Sequence, residues 1–195
     1  MGEGWLMLRF SYTAPMDKTY DPRHLDVKAF AQAQAQLQGQ SELADWPRLA
    51  GEQLSGVDVT DPVRWRLRGQ TRPVAGGADE VWLELSADAG LTLSCQRCLA
   101  PVLETVRAER SFRFVADEAT AEALDDEAEE DILVLDRDFD ALALVEDELI
   151  LSLPLVPRHP VCPQPLPEQK SASPEASEEA RPHPFAALAA LKNRR

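Results

Sequence analysis

A period of two in the middle of the chain restricts its fold more than any other feature of the sequence. In the segment VRWRLRG, which covers residues 63–69, three apolar side chains alternate strictly with three arginines. The apolar residues are Val63, Trp65 and Leu67, and the arginines are Arg64, Arg66 and Arg68. Since successive side chains of a β-strand point to opposite faces, this pattern predicts a strand with one buried face and one arginine-bearing face.

Three further segments predict the rest of a sheet. VWLEL (81–85) and LTLSC (91–95) predict two strands that are separated by the turn-prone SADAG (86–90). VLETVRAERSFRFV (102–115), which follows Pro101, predicts one long strand or a bulged one. About four strands of this kind predict a small, curved, barrel-like antiparallel sheet in a domain of the α+β class.

An N-terminal helix is predicted before these strands. The segment from Leu25 to Leu37 is rich in alanine and glutamine, which are good helix formers. Phe30, Ala33 and Leu37 recur at helical spacing. Gly39 follows as a plausible stop, so the whole segment is expected to be one helix that packs on the domain.

A C-terminal amphipathic helix is predicted after the strands. Asp140 is a good N-cap residue, and Pro154 cannot continue a helix. Between them, apolar residues recur at helical spacing and mark one buried face. That face comprises Leu142, Val145, Leu149 and Leu153, with Ile150 widening it. The acidic residues Glu146 and Asp147 fall on the outward side, where we expect them to be solvated.

The segments around the predicted domain differ from it in composition. Residues 16–165 are expected to form the single α+β domain, and the acidic residues 116–131 predict an exposed loop or a solvated helix. Residues 1–15 are expected to be a flexible extension, or to precede a native start at Met16. Residues 166–195 predict a Pro/Ser/Glu-rich linker and a short amphipathic helix that docks in cis or in trans. The docking face comprises Phe185, Leu188 and Leu191.

The sequence also bears on location and on enzymatic function. It has no apolar run long enough to span a bilayer, and its N-terminus lacks the features of a signal peptide, so a cytoplasmic location is expected. In that reducing setting, cysteines are expected as thiols or metal ligands. The sequence contains no phosphate-binding loop, dinucleotide fingerprint or Ser/His/Asp arrangement, so we predict a protein that is not an enzyme.

The net charge of −14 is unevenly distributed along the chain. Between Arg64 and Arg113 there are eight arginines and six acidic residues, so this span is close to neutral while the remainder is strongly acidic. Binding to nucleic acid depends on Lys and Arg that contact phosphate. Any contact with nucleic acid is therefore expected in the span from Arg64 to Arg113, and any contact with a basic partner is expected elsewhere.

Four residues form a candidate metal site. Cys95 and Cys98 make a C-x-x-C pair where two strands join, and His159 and Cys162 make an H-x-x-C pair. Together they supply the Cys3His donors of a closed structural zinc site. Sixty residues separate the two pairs, so the tertiary fold would have to join them. Two alternatives stay open, namely a surface thiol with a solvated imidazole, and a redox dithiol whose thiolate is favoured by Arg97.

Three segments occur in a distinctive order and spacing. They are CQRCLAPV (95–102), DALALVEDELILSLPLVPRH (140–159) and RPHPFAALAALK (181–192). Together they resemble the bacterial YceD family, whose members are described as large ribosomal RNA subunit accumulation proteins. The family has no assigned catalytic activity and is linked to the synthesis, processing or stability of 23S ribosomal RNA. Many relatives carry further cysteines after the second segment, whereas this chain has only His159 and Cys162 there.

The resemblance implies a non-enzymatic ribosome-biogenesis factor with no membrane and no small-molecule substrate. Its partner would be large-subunit rRNA or a precursor particle, contacted directly or through a basic ribosomal protein. The arginines available for phosphate are Arg64, Arg66, Arg68, Arg107 and Arg113, and the alternative for them is an ordinary solvated sheet face. Two other functions stay open: an acidic interaction module or chaperone for a basic ribosomal partner, and a C-x-x-C thiol redox protein.

Overall fold

The computed structural model describes residues 20–57, 61–125 and 128–163, and a five-stranded sheet follows the chain through them in sequential order. The strands are β1 (Gln36–Ser41), β2 (Val63–Arg72), β3 (Glu80–Ser94), β4 (Pro101–Val115) and β5 (Asp131–Val134). Neighbouring strands are antiparallel except β5, which runs parallel to β4. The α+β class is confirmed, and the sheet is curled only loosely and is not closed, since β1 and β5 form its two edges.

The described residues form four α-helices beside this sheet. They are α1 (Val27–Gln32), α2 (Pro47–Gly51), α3 (Glu118–Asp125) and α4 (Ala141–Leu151). Helix α1 contacts β2 and β3, while α4 contacts α2, β3 and β4. The apolar half of each alternating strand forms the core beneath these helices, and the polar half is left on an open face.

The predicted N-terminal helix is too long. Helix α1 ends at Gln32, Gln34 has a left-handed φ of +48°, and the last two residues of the predicted helix begin the edge strand β1. Leu37 is 1 % exposed on the core face. Gly39 lies inside the strand, and the ring of Trp65 occupies the space that a side chain at this position would need. Helix propensity is a weak preference, and here pairing with β2 overrides it.

The predicted turn at SADAG does not exist. Strand β3 continues through it, because Ala87 and Ala89 keep the inward alternation of Leu85 and Leu91 and are themselves buried. The prediction of one long strand after Pro101 is confirmed, since β4 pairs with β3 along its length. The two strands therefore form a long hairpin, and its closing loop carries the C-x-x-C pair.

The predicted helix before Pro154 is confirmed as α4, but it ends at Leu151, so Leu153 lies beyond it. Its predicted N-cap is confirmed, since the Asp140 side chain accepts a hydrogen bond of 2.9 Å from the Ala143 amide. The expectation that Glu146 is solvated is wrong. Its side chain is buried and accepts hydrogen bonds from the backbone amides of Arg48 and Leu49, so it caps α2. A pattern along one helix could not reveal this contact, because the partner lies almost 100 residues away in the sequence.

The remaining predictions concern the acidic segment and the chain ends. Helix α3 lies within the acidic residues 116–131 and is largely exposed, in agreement with the solvated-helix alternative. The predicted docking residues Phe185, Leu188 and Leu191 lie outside the described residues, as do residues 1–15. The chain divides into two compact units between Val161 and Cys162. Within the described ranges, no helix has the length and apolar character needed to cross a membrane.

Candidate functional site

The loop between β3 and β4 folds back tightly on itself. The Cys95 amide donates to the Ala100 carbonyl at 3.0 Å, and the Leu99 amide donates to the Cys95 carbonyl at 2.8 Å. Leu99 has a φ of +60°, a left-handed conformation that is uncommon for a residue other than glycine. This reversal brings Cys98 back towards Cys95, so that both thiols belong to one corner.

Hydrogen bonds fasten the segment after α4 to this corner. The Gln96 amide donates to the Pro157 carbonyl at 2.9 Å, and the Arg97 guanidinium donates to the His159 carbonyl at 2.9 Å. In return, the His159 ring donates from Nε2 to the Pro101 carbonyl at 2.9 Å. One backbone–backbone hydrogen bond and further side-chain hydrogen bonds to carbonyls therefore bring together the two cysteine-containing pairs, which are sixty residues apart.

The four predicted ligands come together at this corner. The ligand atoms of Cys95, Cys98, His159 and Cys162 all lie within 4.8 Å of one another. The Cys98 sulfur lies 3.5 Å from Nδ1 of His159. Zinc bond lengths of roughly 2.3 Å to sulfur and 2.05 Å to nitrogen, at a tetrahedral angle, place such atoms about 3.6 Å apart. The distance between Cys98 and His159 matches this value, and the other ligand atoms are close enough to surround one ion.

The ring of His159 is held in the orientation and tautomer that a metal ligand requires. Because a carbonyl oxygen can only accept, the contact with Pro101 places the ring proton on Nε2. Nδ1 is then left with its lone pair directed towards Cys98. Metal-binding histidines commonly use one ring nitrogen on the metal and donate the other N–H to a carbonyl or carboxylate.

The electrostatics of Cys95 favour its thiolate. Burial raises the pKa of the thiol, but hydrogen bonds from the backbone of Cys98, His159 and Arg97, and from the His159 side chain, lower that pKa to about 5. The thiolate is the form that binds metal. Since Cys95 is fully buried and a buried anion is costly unless it is paired, a cation among these donors would offset its charge.

The same geometry bears on the redox alternative. A redox dithiol normally exposes its attacking sulfur and lies at the N-terminus of a helix. Here the low pKa belongs to the buried Cys95, and the pair lies in a loop between two strands. The arrangement therefore suits a structural metal site better than thiol exchange.

The predicted arginines lie on the open face of the sheet, but they differ in their partners. Arg64 pairs with Asp88 at 2.9 Å, Arg68 approaches Glu84 at 3.9 Å, and Arg113 pairs with Glu80 at 2.8 Å. Within the described part of the chain, no carboxylate lies within ion-pair distance of Arg66 or Arg107. Contact with phosphate at any of the five stays a prediction.

The open face also carries residues that the sequence reasoning missed. Gln36, Gln38 and Gln40 of β1 lie opposite Arg68, Arg66 and Arg64 respectively. Gln36 lies inside the predicted helix and Gln38 and Gln40 lie beyond its end, although QLQGQ alternates as a strand does. The Arg72 guanidinium lies 3.6 Å from the centroid of the Trp82 ring on the same face.

Exposed apolar side chains surround the cysteine corner. In the described ranges, Leu99 is 74 % exposed, Leu155 is 99 % exposed and Val161 is 84 % exposed. Leu103, at the start of β4, is also exposed. Concentrated apolar exposure of this kind often marks a surface that contacts a protein partner.

Comparisons with known proteins agree with the resemblance read from the sequence. The profile of the family described as "Large ribosomal RNA subunit accumulation protein YceD" matches residues 83–192. A relative of that name from Haemophilus influenzae is 36 % identical over 104 residues, which is 52 % of this chain and 60 % of the relative. The chain thus spans about 60 % of the length of this curated relative. No solved structure matches the chain.

Proposed function

Because the chain belongs to the YceD family, we propose that it is a non-enzymatic factor that supports the accumulation of large-subunit ribosomal RNA in the cytoplasm. The observation that carries this proposal is the family match over residues 83–192. That stretch contains the long hairpin from Leu83 onward, helix α4 and all four candidate metal ligands. The synthesis, processing or stability of 23S rRNA is the step at which such a factor would act.

The chemistry of the cysteine corner supports a structural role rather than a catalytic one. Catalytic zinc sites keep one coordination position for water or substrate, whereas four protein ligands close the site. Cys95, Cys98, His159 and Cys162 together provide that closed set. We therefore propose that they hold a zinc ion that fastens the segment after α4 to the β3–β4 corner.

The open sheet face supports direct contact with RNA. It is the face that the helices leave uncovered, and its exposed cations include Arg66 and Arg107, which have no acidic partner among the described residues. Arginines contact phosphate oxygens and position a protein on nucleic acid without reading its sequence. The large-subunit rRNA or a precursor particle is the partner that this proposal implies.

A second candidate function is binding to a basic ribosomal protein. The exposed acidic helix α3 and the apolar residues Leu99, Leu155 and Val161 favour it, since they resemble the mixed surface of a protein interface. A purified large-subunit protein that binds the chain, and loses binding when Leu99 and Leu155 are changed to serine, would support this candidate. Unchanged binding by that double variant would show that these side chains do not contribute to the contact.

The proposed function is tested by removing the chain from a bacterium that encodes it and measuring the ratio of 23S to 16S rRNA. We expect the ratio to fall, and we expect the wild-type gene supplied in trans to restore it. An unchanged ratio on loss of the chain would overturn the proposal. The Cys98→Ser variant should restore the ratio less well than the His24→Ala variant, since only Cys98 belongs to the candidate metal centre.

A further inference from the structure

Arg66 lies at the centre of the open face and differs from the arginines on either side of it. In the strand register, Arg64 lies opposite Asp88 and Arg68 lies opposite Glu84, whereas Arg66 lies opposite Ser86. On its other side Arg66 faces Gln38 of β1. Arg66 therefore lies between two neutral hydrogen-bonding side chains, with Glu109 of β4 next in the row beyond Ser86.

The surface around Arg66 is concave on both sides. One shallow concavity of about 360 Å³ is lined by Gln38, Arg64, Arg66, Ser86 and Asp88, among others. A second, of about 420 Å³, is lined by the polar residues Gln36, Ser86 and Ser111, the arginines Arg66, Arg68 and Arg110, and the acidic residues Glu84 and Glu109, together with Leu85. Arg66 and Ser86 line both, so a ligand that followed this face would meet Arg66 from either direction.

We propose that this open face binds the phosphate backbone of double-helical RNA, with Arg66 as its principal phosphate contact. The proposal rests on the proposed function, because it names the form of RNA that such a factor would engage. Arginine is the side chain best suited to phosphate, since its planar guanidinium donates two parallel hydrogen bonds. Gln38 and Ser86 can donate and accept, as contact with a ribose 2′-hydroxyl requires.

The aromatic residues favour a duplex over a single strand. Proteins that bind single-stranded RNA stack its bases on exposed aromatic rings, whereas double-stranded RNA is bound by its shape, its phosphates and its 2′-hydroxyls. On the described sheet, Trp65 and Trp82 are each 3 % exposed, and Trp82 is covered by Arg72. The described open face therefore offers charges and hydrogen bonds but no exposed tryptophan on which bases could stack.

The acidic residues on the same face predict weak binding that depends on salt. Asp88 neutralises Arg64 at 2.9 Å and lies opposite Arg107 in the register. Replacing this carboxylate by an amide would release the charge of Arg64 to contact phosphate. Asp88→Asn is therefore expected to tighten binding to RNA, an outcome that a purely structural role for the ion pair would not produce.

The experiment is a fluorescence-anisotropy titration of the full chain with a short labelled RNA duplex, with one of its strands alone, and with the DNA duplex of the same sequence. We expect the RNA duplex to bind tightest. Arg66→Gln should weaken that binding about 10-fold, the value of one charge-assisted hydrogen bond, and lower the slope of log affinity against log salt by roughly one. Arg137→Gln, which removes an exposed arginine outside the sheet, should leave the affinity within about twofold.

Three results would overturn the proposal: no binding of the duplex at low salt, tighter binding of the single strand, or equal affinities for the Arg66 and Arg137 variants. Circular dichroism of both variants checks that the fold is retained. We expect it to be retained in Arg66→Gln because Arg66 is exposed. The rRNA ratio in cells separates this inference from the proposed function. If Arg66→Gln binds duplex RNA like the wild type while loss of the chain still lowers 23S rRNA, the inference fails and the function stands.

Discussion

Glu146 connects two helices and provides the most direct test of the packing on the helical face. Its carboxylate accepts hydrogen bonds from the Arg48 amide at 2.8 Å, the Leu49 amide at 3.1 Å and Nε of Arg48 at 3.0 Å. The residue is only 6 % exposed. Glu146→Ala would therefore leave the two amides at the start of α2 without their acceptor, in a place that water reaches poorly.

The magnitude follows from these two backbone contacts. A hydrogen bond to a charged group contributes roughly 1.5–3 kcal/mol, and loss of a helix cap costs about 0.5–2 kcal/mol. Because partial hydration recovers some of this, we expect Glu146→Ala to lower the free energy of unfolding by about 2–4 kcal/mol. Glu146→Gln keeps one acceptor oxygen, so it should lose less than the alanine variant.

Urea denaturation followed by tryptophan fluorescence measures this change, with the midpoint compared at a constant slope. Asp147→Ala is the matched control. Asp147 follows Glu146 directly and contacts the same arginine, but it is half exposed and touches no α2 amide described here. Little change in the control and a large loss at Glu146 would support the capping role. Equal losses in the two variants would refute it.

Two other predictions address the sheet and the start of α1. Gly39→Ala would place a Cβ atom 2.5 Å from the buried Trp65 ring, and in thermal melts we expect it to destabilise the fold by about 1–3 kcal/mol. Gly77→Ala is the control: its Cβ atom would lie 3.6 Å from the nearest atom, so it should be nearly neutral. The hydrogen bond to Asp138, and then its negative charge, raise the pKa of His24 above 6.5, so this pair stabilises the fold fully below pH 6.5 and less as pH rises through the raised pKa. Asp138→Asn should therefore cost more stability near pH 5.5 than near pH 8.5 in urea titrations, and an equal cost at both values would contradict the charge-based reasoning.

The sheet could be predicted from the sequence where its alternation was strict. The buried and exposed faces of β2 were predicted correctly, because Val63, Trp65 and Leu67 alternate without exception with arginines. The prediction failed at the end of the segment from Leu25 to Leu37, where the preceding alanines and glutamines favour a helix but pairing with β2 favours a strand. Local preference could not decide between these, since the partner strand begins more than 20 residues later.

The candidate metal centre was predictable in its chemistry and not in its geometry. Three cysteines and one histidine in two short motifs point to a Cys3His set, so the donors could be named from the sequence. They are joined by long-range hydrogen bonds, such as that from the Gln96 amide to the Pro157 carbonyl, which leave no pattern in the sequence. For the same reason, the sequence could not assign the roles of the two ring nitrogens of His159, because these roles depend on the hydrogen bond from Nε2 to the Pro101 carbonyl.

The central structural claim is that Cys95, Cys98, His159 and Cys162 form one closed zinc site. Its most direct test is the zinc content of the untagged full chain, measured by mass spectrometry beside the Cys98→Ser and Cys162→Ser variants, with His24→Ala as a control histidine outside the cluster. We predict one zinc ion per chain in the wild type and in the control, and loss of that ion in both cysteine variants. A wild-type protein that remains free of zinc after expression in zinc-supplemented medium, or cysteine variants that retain the ion, would contradict the claim.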